Sequence, residues 1–270
     1  MASKFIMLGV TMLTFAISPT NAEEVCKQFG PQTPRDISDF AGSNPGRFPL
    51  AGPVAEMNLC NIHFHLNAEH KGPGFSVSAG GGDHGGFKCN ETASLTPAEL
   101  APTSAPVCKG AKPGDTIEVH WVYSTCDVKP GKGLGSCSSP SCANPSLRVE
   151  TQVFVLVNDP KAVDFARYDV AADAARPKAL PRGTGKPVVY RGSTTGPSYT
   201  NSKCSPLQVT WSVRPRCAKL DINSLGKWCG NNVFEEDHAH GVRQLVTNKA
   251  LLEPIVSDKG AAAIAQKIKR

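Results

Sequence analysis

Apolar residues in this chain recur in short β-rich runs and almost never at helical spacing, and the runs are separated by turn formers: 25 glycines and 22 prolines in 270 residues. That pattern excludes a helical bundle and predicts a mainly β fold with few helices. The clearest strands are Leu59–Leu66, Thr116–Thr125, Leu147–Val157, Pro187–Tyr190 and Leu207–Val213. The run Val153-Phe154-Val155-Leu156-Val157 is continuously apolar, as expected of a central strand buried on both faces. Two helices are expected. One is short, where Thr96 precedes Pro97 at a first helical position; the other is the alanine-rich tail Asp258–Arg270, with lysines near its end. Long loops are implied around Gly80–Gly86, Pro130–Pro145 and Ala171–Gly185. Neither a repeat nor a long linker divides the chain, so a single domain around a large, twisted, mostly antiparallel sheet is expected.

The first 22 residues read as a secretory signal peptide. Lys4 supplies the positive charge, Phe5–Ile17 the short apolar core and Thr20-Asn21-Ala22 the cleavage site, leaving residues 23–270 as the mature domain. No other run is long enough to span a bilayer. Ten cysteines fit an exported protein in an oxidising compartment, periplasmic or secreted, where an even number reads as disulfides. Thiolate metal sites need close pairs such as C-x-x-C, and there are none. Net charge is +6, but the basic residues are scattered, with no arm or stripe to follow a nucleic acid backbone.

Chemistry concentrates in two segments, Asn61-Ile62-His63-Phe64-His65 followed by Glu69-His70, and Glu118-Val119-His120-Trp121-Val122. Residues two apart on a strand share a face at a spacing of about 6.6–6.8 Å, so His63 and His65 can meet on one ion, with His120 from a second strand as third ligand. A lone His-x-His can equally be an exposed pair with no role. The neighbours argue for ligation: Asn61 and Glu118 each lie two residues before a histidine, on the same face, where a ligand's second N–H needs an acceptor. A carboxylate on that surface is otherwise hard to justify. Three neutral imidazoles favour zinc over calcium and leave one coordination position open.

With a third segment, the pattern acquires a family resemblance. His63-Phe64-His65-x-x-x-Glu69-His70, Glu118-x-His120, and Tyr190-Arg191-Gly192-Ser193-Thr194-Thr195-Gly196-Pro197 followed by Val209-Thr210-Trp211 resemble, in order and spacing, the active-site pattern of α-class carbonic anhydrases with bacterial spacing. The cysteine-rich loops and the Asn-Leu-Cys-Asn-Ile-His-Phe-His context look more like the δ-class. The resemblance implies an α-carbonic-anhydrase-like fold and a zinc enzyme that interconverts carbon dioxide with bicarbonate and a proton. His63, His65 and His120 would bind zinc. Thr195 would be the gatekeeper, accepting a hydrogen bond from zinc-bound hydroxide and donating one to Glu69. Asn61 and Glu118 would orient ligands, and Val122 and Trp211 would line a carbon dioxide pocket. Thr194 stands where the family has leucine, which implies a more polar wall and a competitor for the gatekeeper role. The resemblance further implies a disulfide between Cys26 and Cys204.

Proton export needs a group near neutral pKa, and the candidates are His84, in a glycine-rich loop, and His238 and His240, in an acidic turn. His70 reads as a hydrogen-bonded structural residue. Two other readings compete. A cupin-type site would take Glu69 as a fourth ligand, but Met57 stands where its first motif needs glycine, and the second motif's spacing is absent. A periplasmic zinc carrier would commonly have a histidine-rich loop, and the chain holds seven histidines in all.

Overall fold

A computed structural model describes residues 26, 28–81, 85–170, 177, 179–194, 199–200 and 202–256. The expected signal peptide, His84, Thr195 and the alanine-rich tail lie outside the described residues. The strands are β1 (Asn58–Leu66), β2 (Val77–Ser78), β3 (Phe87–Lys88), β4 (Thr116–Ser124), β5 (Leu147–Val157), β6 (Val188–Ser193), β7 (Gln208–Val213) and β8 (Ala218–Asp221), followed by helix α1 (Ile222–Gly230). Six of them form one sheet in the order β1-β4-β5-β7-β6, with β8 also on β5, while β2 and β3 make a separate hairpin. The pairings β1·β4, β4·β5 and β6·β7 are antiparallel; β5·β7 and β5·β8 are parallel. The sheet is therefore mixed, with the longer pairings antiparallel.

The parallel pairings follow from the length of β5. Its eleven residues outrun any single short partner, so β7 lies along Arg148–Thr151 and β8 along Phe154–Val157 of the same edge. Pro215, which has no N–H for a ladder, falls in the break between β7 and β8. Gln152 fills the break: its Nε2 donates to the Arg216 carbonyl at 2.8 Å, and its Oε1 accepts from Thr184 at 2.6 Å.

The expected helix at Thr96 is a single turn. Its capping box forms, with Glu99 N donating to Thr96 Oγ1 at 3.3 Å and Thr96 N to Glu99 Oε2 at 2.8 Å, but Pro102 follows before a second turn can build. Helix α1 was not expected. Its signal was present, in Asp221 as cap and Ile222, Leu225 and Trp228 at threefold spacing, but Gly226 and Gly230 obscured it. Gly226 is needed for packing, since a Cβ there would stand 2.5 Å from the Pro106 carbonyl oxygen.

Ile62, Phe64, Trp121 and Phe154 bury one sheet face beneath α1. Val122, Val149, Val153 and Trp211 lie in the second core cluster, on the other face. Burying a large side chain of this kind is worth about 1.5–3 kcal/mol. All ten cysteines are paired: Cys26–Cys204, Cys60–Cys137, Cys89–Cys217, Cys108–Cys229 and Cys126–Cys142. Five disulfides fit an oxidising, exported environment. Among the described residues no helix is long and apolar enough to cross a membrane.

Candidate metal centre

The site starts from a break in the alternation of β1. Leu59 pairs with Tyr123 and Asn61 with Val122, which leaves Cys60 as the extra residue of a β-bulge. Before the bulge Leu59 faces the core that also takes Ile62 and Phe64; after it Asn61, His63 and His65 face a cavity. Strict alternation from Leu59 would have put the histidines and Leu59 on one face. Beyond the bulge, register aligns two rows across the sheet. One runs Asn61, Val122, Val149, Trp211 and Tyr190; the next runs His63, His120 and Thr151.

The three histidines come together. Ring centroids are 5.3 Å apart for His63 and His65, 5.0 Å for His63 and His120, and 4.8 Å for His65 and His120. One nitrogen of each ring is committed to an oxygen acceptor. His63 Nδ1 lies 2.6 Å from Asn61 Oδ1, His65 Nδ1 2.7 Å from the Gly241 carbonyl oxygen, and His120 Nε2 2.7 Å from Glu118 Oε1. Those nitrogens therefore carry the protons. The other three, His63 Nε2, His65 Nε2 and His120 Nδ1, are left with lone pairs. His120 Nδ1 is 3.2 Å from His63 Nε2, and His65 Nε2 is buried with no hydrogen-bond partner among the described residues. Lone pairs facing one another in a buried site are unfavourable without a cation between them. Protonation does not supply it, because burial pushes the His63 pKa well below its ordinary value, helped by the neighbouring imidazoles, and burial lowers that of His65 too. Three converging nitrogen donors fit zinc or a similar borderline-soft ion and do not fit calcium or magnesium.

Glu118 is fully buried and serves two histidines. Oε1 accepts from His120 Nε2 and, at 2.6 Å, from His70 Nδ1; Oε2 accepts from the His70 backbone N–H at 3.0 Å. Burial alone would raise its pKa, but His70 and His120 outweigh that and hold it well below the carboxylate range. His70 Nε2 lies 2.7 Å from the Tyr190 hydroxyl, so the chain of bonds from His120 ends in the core. Trp211 packs edge-on against His120, with centroids 5.1 Å apart, and its indole N–H donates to the Ser193 carbonyl. Its ring crosses Gly192, where a Cβ would be 2.9 Å from Trp211 Cδ1.

A cavity of 860 Å³ opens over the histidines. Val122, Val149, Val209 and Trp211 form an apolar wall, and Thr194, Glu236, His240 and Arg243 lie among its polar lining. Thr194 Oγ1 is 3.2 Å from Ser205 Oγ. Glu69 is 1% exposed; its Oε1 accepts from the Arg243 backbone N–H at 3.0 Å and sits 3.7 Å from His65 Nδ1, the nitrogen turned to Gly241. His240 lines the cavity with its ring centroid 5.7 Å from that of His63, and the bond from its Nε2 to Glu236 Oε2, at 2.8 Å, raises its pKa. His238 is more exposed, bonds to Asp237 and does not line the cavity.

A sequence model of one family, delta carbonic anhydrase, matches residues 54–224, which hold all three histidines, Glu69 and Trp211. This chain belongs to the delta carbonic anhydrase family. Its activity is accordingly that of a carbonic anhydrase, the interconversion of carbon dioxide and bicarbonate. Among solved structures, an alpha-carbonic anhydrase from Thermovibrio ammonificans, in complex with the inhibitor sulfanilamide, is similar at 16% identity over 86% of this chain and 96% of that one, with a TM-score of 0.29. A search of curated proteins returned no match.

In this carbonic anhydrase three contributors to the site left no mark that sequence reasoning used. The Gly241 carbonyl and the Arg243 backbone N–H act through main-chain atoms, which every residue possesses. Glu236 stood in view within the acidic turn, but only the fold brings its carboxylate to His240 at the cavity wall.

Proposed function

We propose that His63, His65 and His120 hold a zinc ion, and that the site hydrates carbon dioxide reversibly to bicarbonate and a proton with Thr195 and Glu69 as an orienting pair. The observation that carries this reading is His65 Nε2, buried without a partner among the described residues and set beside two other nitrogens whose rings carry their protons on the far side. Zinc held by three neutral imidazoles supplies Lewis-acid charge that brings the pKa of a bound water to about 7, a value for which carbonic anhydrase is itself the standard example.

The protein's own groups do the rest. Asn61, Gly241 and Glu118 fix the tautomers of the three rings and keep them aimed. Val122, Val149 and Trp211 offer an apolar wall, which suits a substrate with neither charge nor net dipole. Thr195 accepts a hydrogen bond from the attacking oxygen and donates to Glu69, fixing the direction of the remaining lone pair. Glu69 can hold that role because it is buried and anchored by the Arg243 N–H. Thr194 shares its hydroxyl with Ser205, which favours Thr195 for the gatekeeper task. The decisive experiment joins metal analysis of the purified protein to stopped-flow carbon dioxide hydration; a protein with zinc bound and no rate above buffer would overturn the reading.

His240 is the candidate proton carrier, being on the cavity wall and partly open to solvent. His238 stands one step further out, its ring centroid 5.2 Å from that of His240. His240→Ala is expected to lower kcat on the order of 100-fold in dilute buffer, with recovery on adding imidazole and little change in concentrated buffer. An unchanged kcat in dilute buffer would move the task to His84. The five disulfides support an exported enzyme, with residues 1–22 as the signal peptide and 23–270 as the catalytic domain.

A further inference from the structure

Cys60, the extra residue of the bulge, is bonded to the 131–137 segment three times. Its sulfur is joined to Cys137, and its carbonyl oxygen accepts from Gly131 N at 3.0 Å and from Ser136 Oγ at 2.7 Å. The same segment returns a bond to β1: the Gly131 carbonyl accepts from Asn61 Nδ2 at 3.1 Å.

We propose that the Cys60–Cys137 disulfide is a positioning device for His63, acting through the side-chain amide of Asn61. The inference rests on the reading of His63 as a metal ligand. An asparagine amide has a donating end and an accepting end of nearly equal shape, and only its neighbours decide which faces where. With Nδ2 committed to the Gly131 carbonyl, Oδ1 faces His63 Nδ1 and holds the proton there, leaving Nε2 free to ligate. With the amide reversed, Nδ2 would face His63 Nδ1 and draw the imidazole proton to Nε2, where it blocks a ligand bond. The Gly131 carbonyl therefore selects the tautomer.

Gly131 itself lies in a long connection between β4 and β5 that contains two glycines within three residues, Gly131 and Gly133, the second at φ 60°. Such a segment has little backbone preference of its own. The exposed Lys132–Glu235 pair adds little to hold it. The crosslink to Cys60, placed on the residue next to Asn61, brings the carbonyl within reach.

The test compares zinc affinity, by chelator competition on the metal-free protein, in Cys60→Ala/Cys137→Ala, in Asn61→Ala, and in the triple variant. Cys108→Ala/Cys229→Ala, which removes a crosslink with a sequence separation of 121 against 77 and touches neither Asn61 nor Gly131, is the control for lost stability. Nitrogen-15 shifts of the His63 ring report its tautomer in each. The expected result is a loss of about 10–100-fold in zinc affinity for the Cys60/Cys137 variant, a mixed tautomer at His63, and no effect in the control. The triple variant is expected to bind no more weakly than Asn61→Ala, since both changes act on one pathway. Unchanged affinity, or losses that multiply, would overturn the proposal. Should the double variant fail to fold, Ser136→Ala keeps every disulfide and loosens the same contact; a several-fold loss absent on the Asn61→Ala background is expected, and no loss overturns it. Absence of zinc binding by the unaltered protein would instead refute the metal reading itself, leaving the tautomer measurement to judge the positioning role.

Discussion

His65→Ala is expected to remove zinc binding and carbon dioxide hydration together. Loss of an outer partner of a ligand costs about 10–100-fold in metal affinity, so loss of the ligand itself should exceed that, and the hydration rate should fall to that of buffer. The three histidines are not equivalent in what their removal leaves behind. Without His120, Glu118 would keep its two hydrogen bonds from His70 but lose one of two imidazole donors in a fully buried position. That variant should also lose stability, because a buried carboxylate short of partners is costly. His65 hydrogen-bonds to the main-chain carbonyl of Gly241, and Glu69, 3.7 Å away, has its own anchor in the Arg243 N–H, so replacing His65 breaks no hydrogen bond to a buried carboxylate. The expected signature is a folded protein that holds no metal, with unchanged circular dichroism and the unfolding midpoint of the metal-free parent. A His65→Ala variant that still hydrated carbon dioxide at an appreciable rate would sink the three-histidine centre.

Glu69→Gln should separate chemistry from metal binding. The amide oxygen can take the place of Oε1 against the Arg243 N–H, which leaves the Nε2 group where the proposed pairing with Thr195 needs an acceptor. A donor would then meet a donor, and the threonine hydroxyl would lose the acceptor that sets its direction. Zinc stoichiometry should be unchanged while kcat/KM falls about 100-fold, the typical cost of a misplaced reacting group. Thr195→Ala should produce a loss of the same order, and Thr194→Ala a much smaller one because its hydroxyl already has Ser205. The reverse ranking of the two threonines would place the gatekeeper one residue earlier. If Glu69→Gln lost its metal as well, Glu69 would be a ligand, as in a cupin.

The sequence made the strands legible where burial was continuous. The strand at 147–157 was legible because its second half, Val153–Val157, is an uninterrupted apolar run with one compatible environment, the middle of a sheet. It did not show that β5 carries two parallel partners in line, since partner choice is set by lengths and breaks far away, here Pro215. The pair formed by Asn61 and His63 was readable because both lie on one strand, two residues apart. The double use of Glu118 was not: it depends on His70 arriving from the turn beyond β1. The bulge at Cys60 escaped for a different reason. An extra residue changes the phase of a strand without changing its composition, and nothing in Asn-Leu-Cys-Asn marks where the phase slips.

The segment from His240 to Arg243 ties the sheet's margin to the chemistry. His240 N donates to the Phe64 carbonyl at 2.8 Å and Leu66 N to the His240 carbonyl at 2.9 Å, so this stretch occupies the outer edge of β1, the side that would otherwise invite another strand. The next residues hold His65 and Glu69 through main-chain atoms. Detachment of those few residues would thus bare a sticky strand and dismantle the centre in one event. Local opening and loss of the metal become a single equilibrium, and zinc should slow hydrogen exchange at the Leu66 and His240 amides far more than at the distant helix. A cell that starves the enzyme of metal would by the same route make it more prone to aggregate.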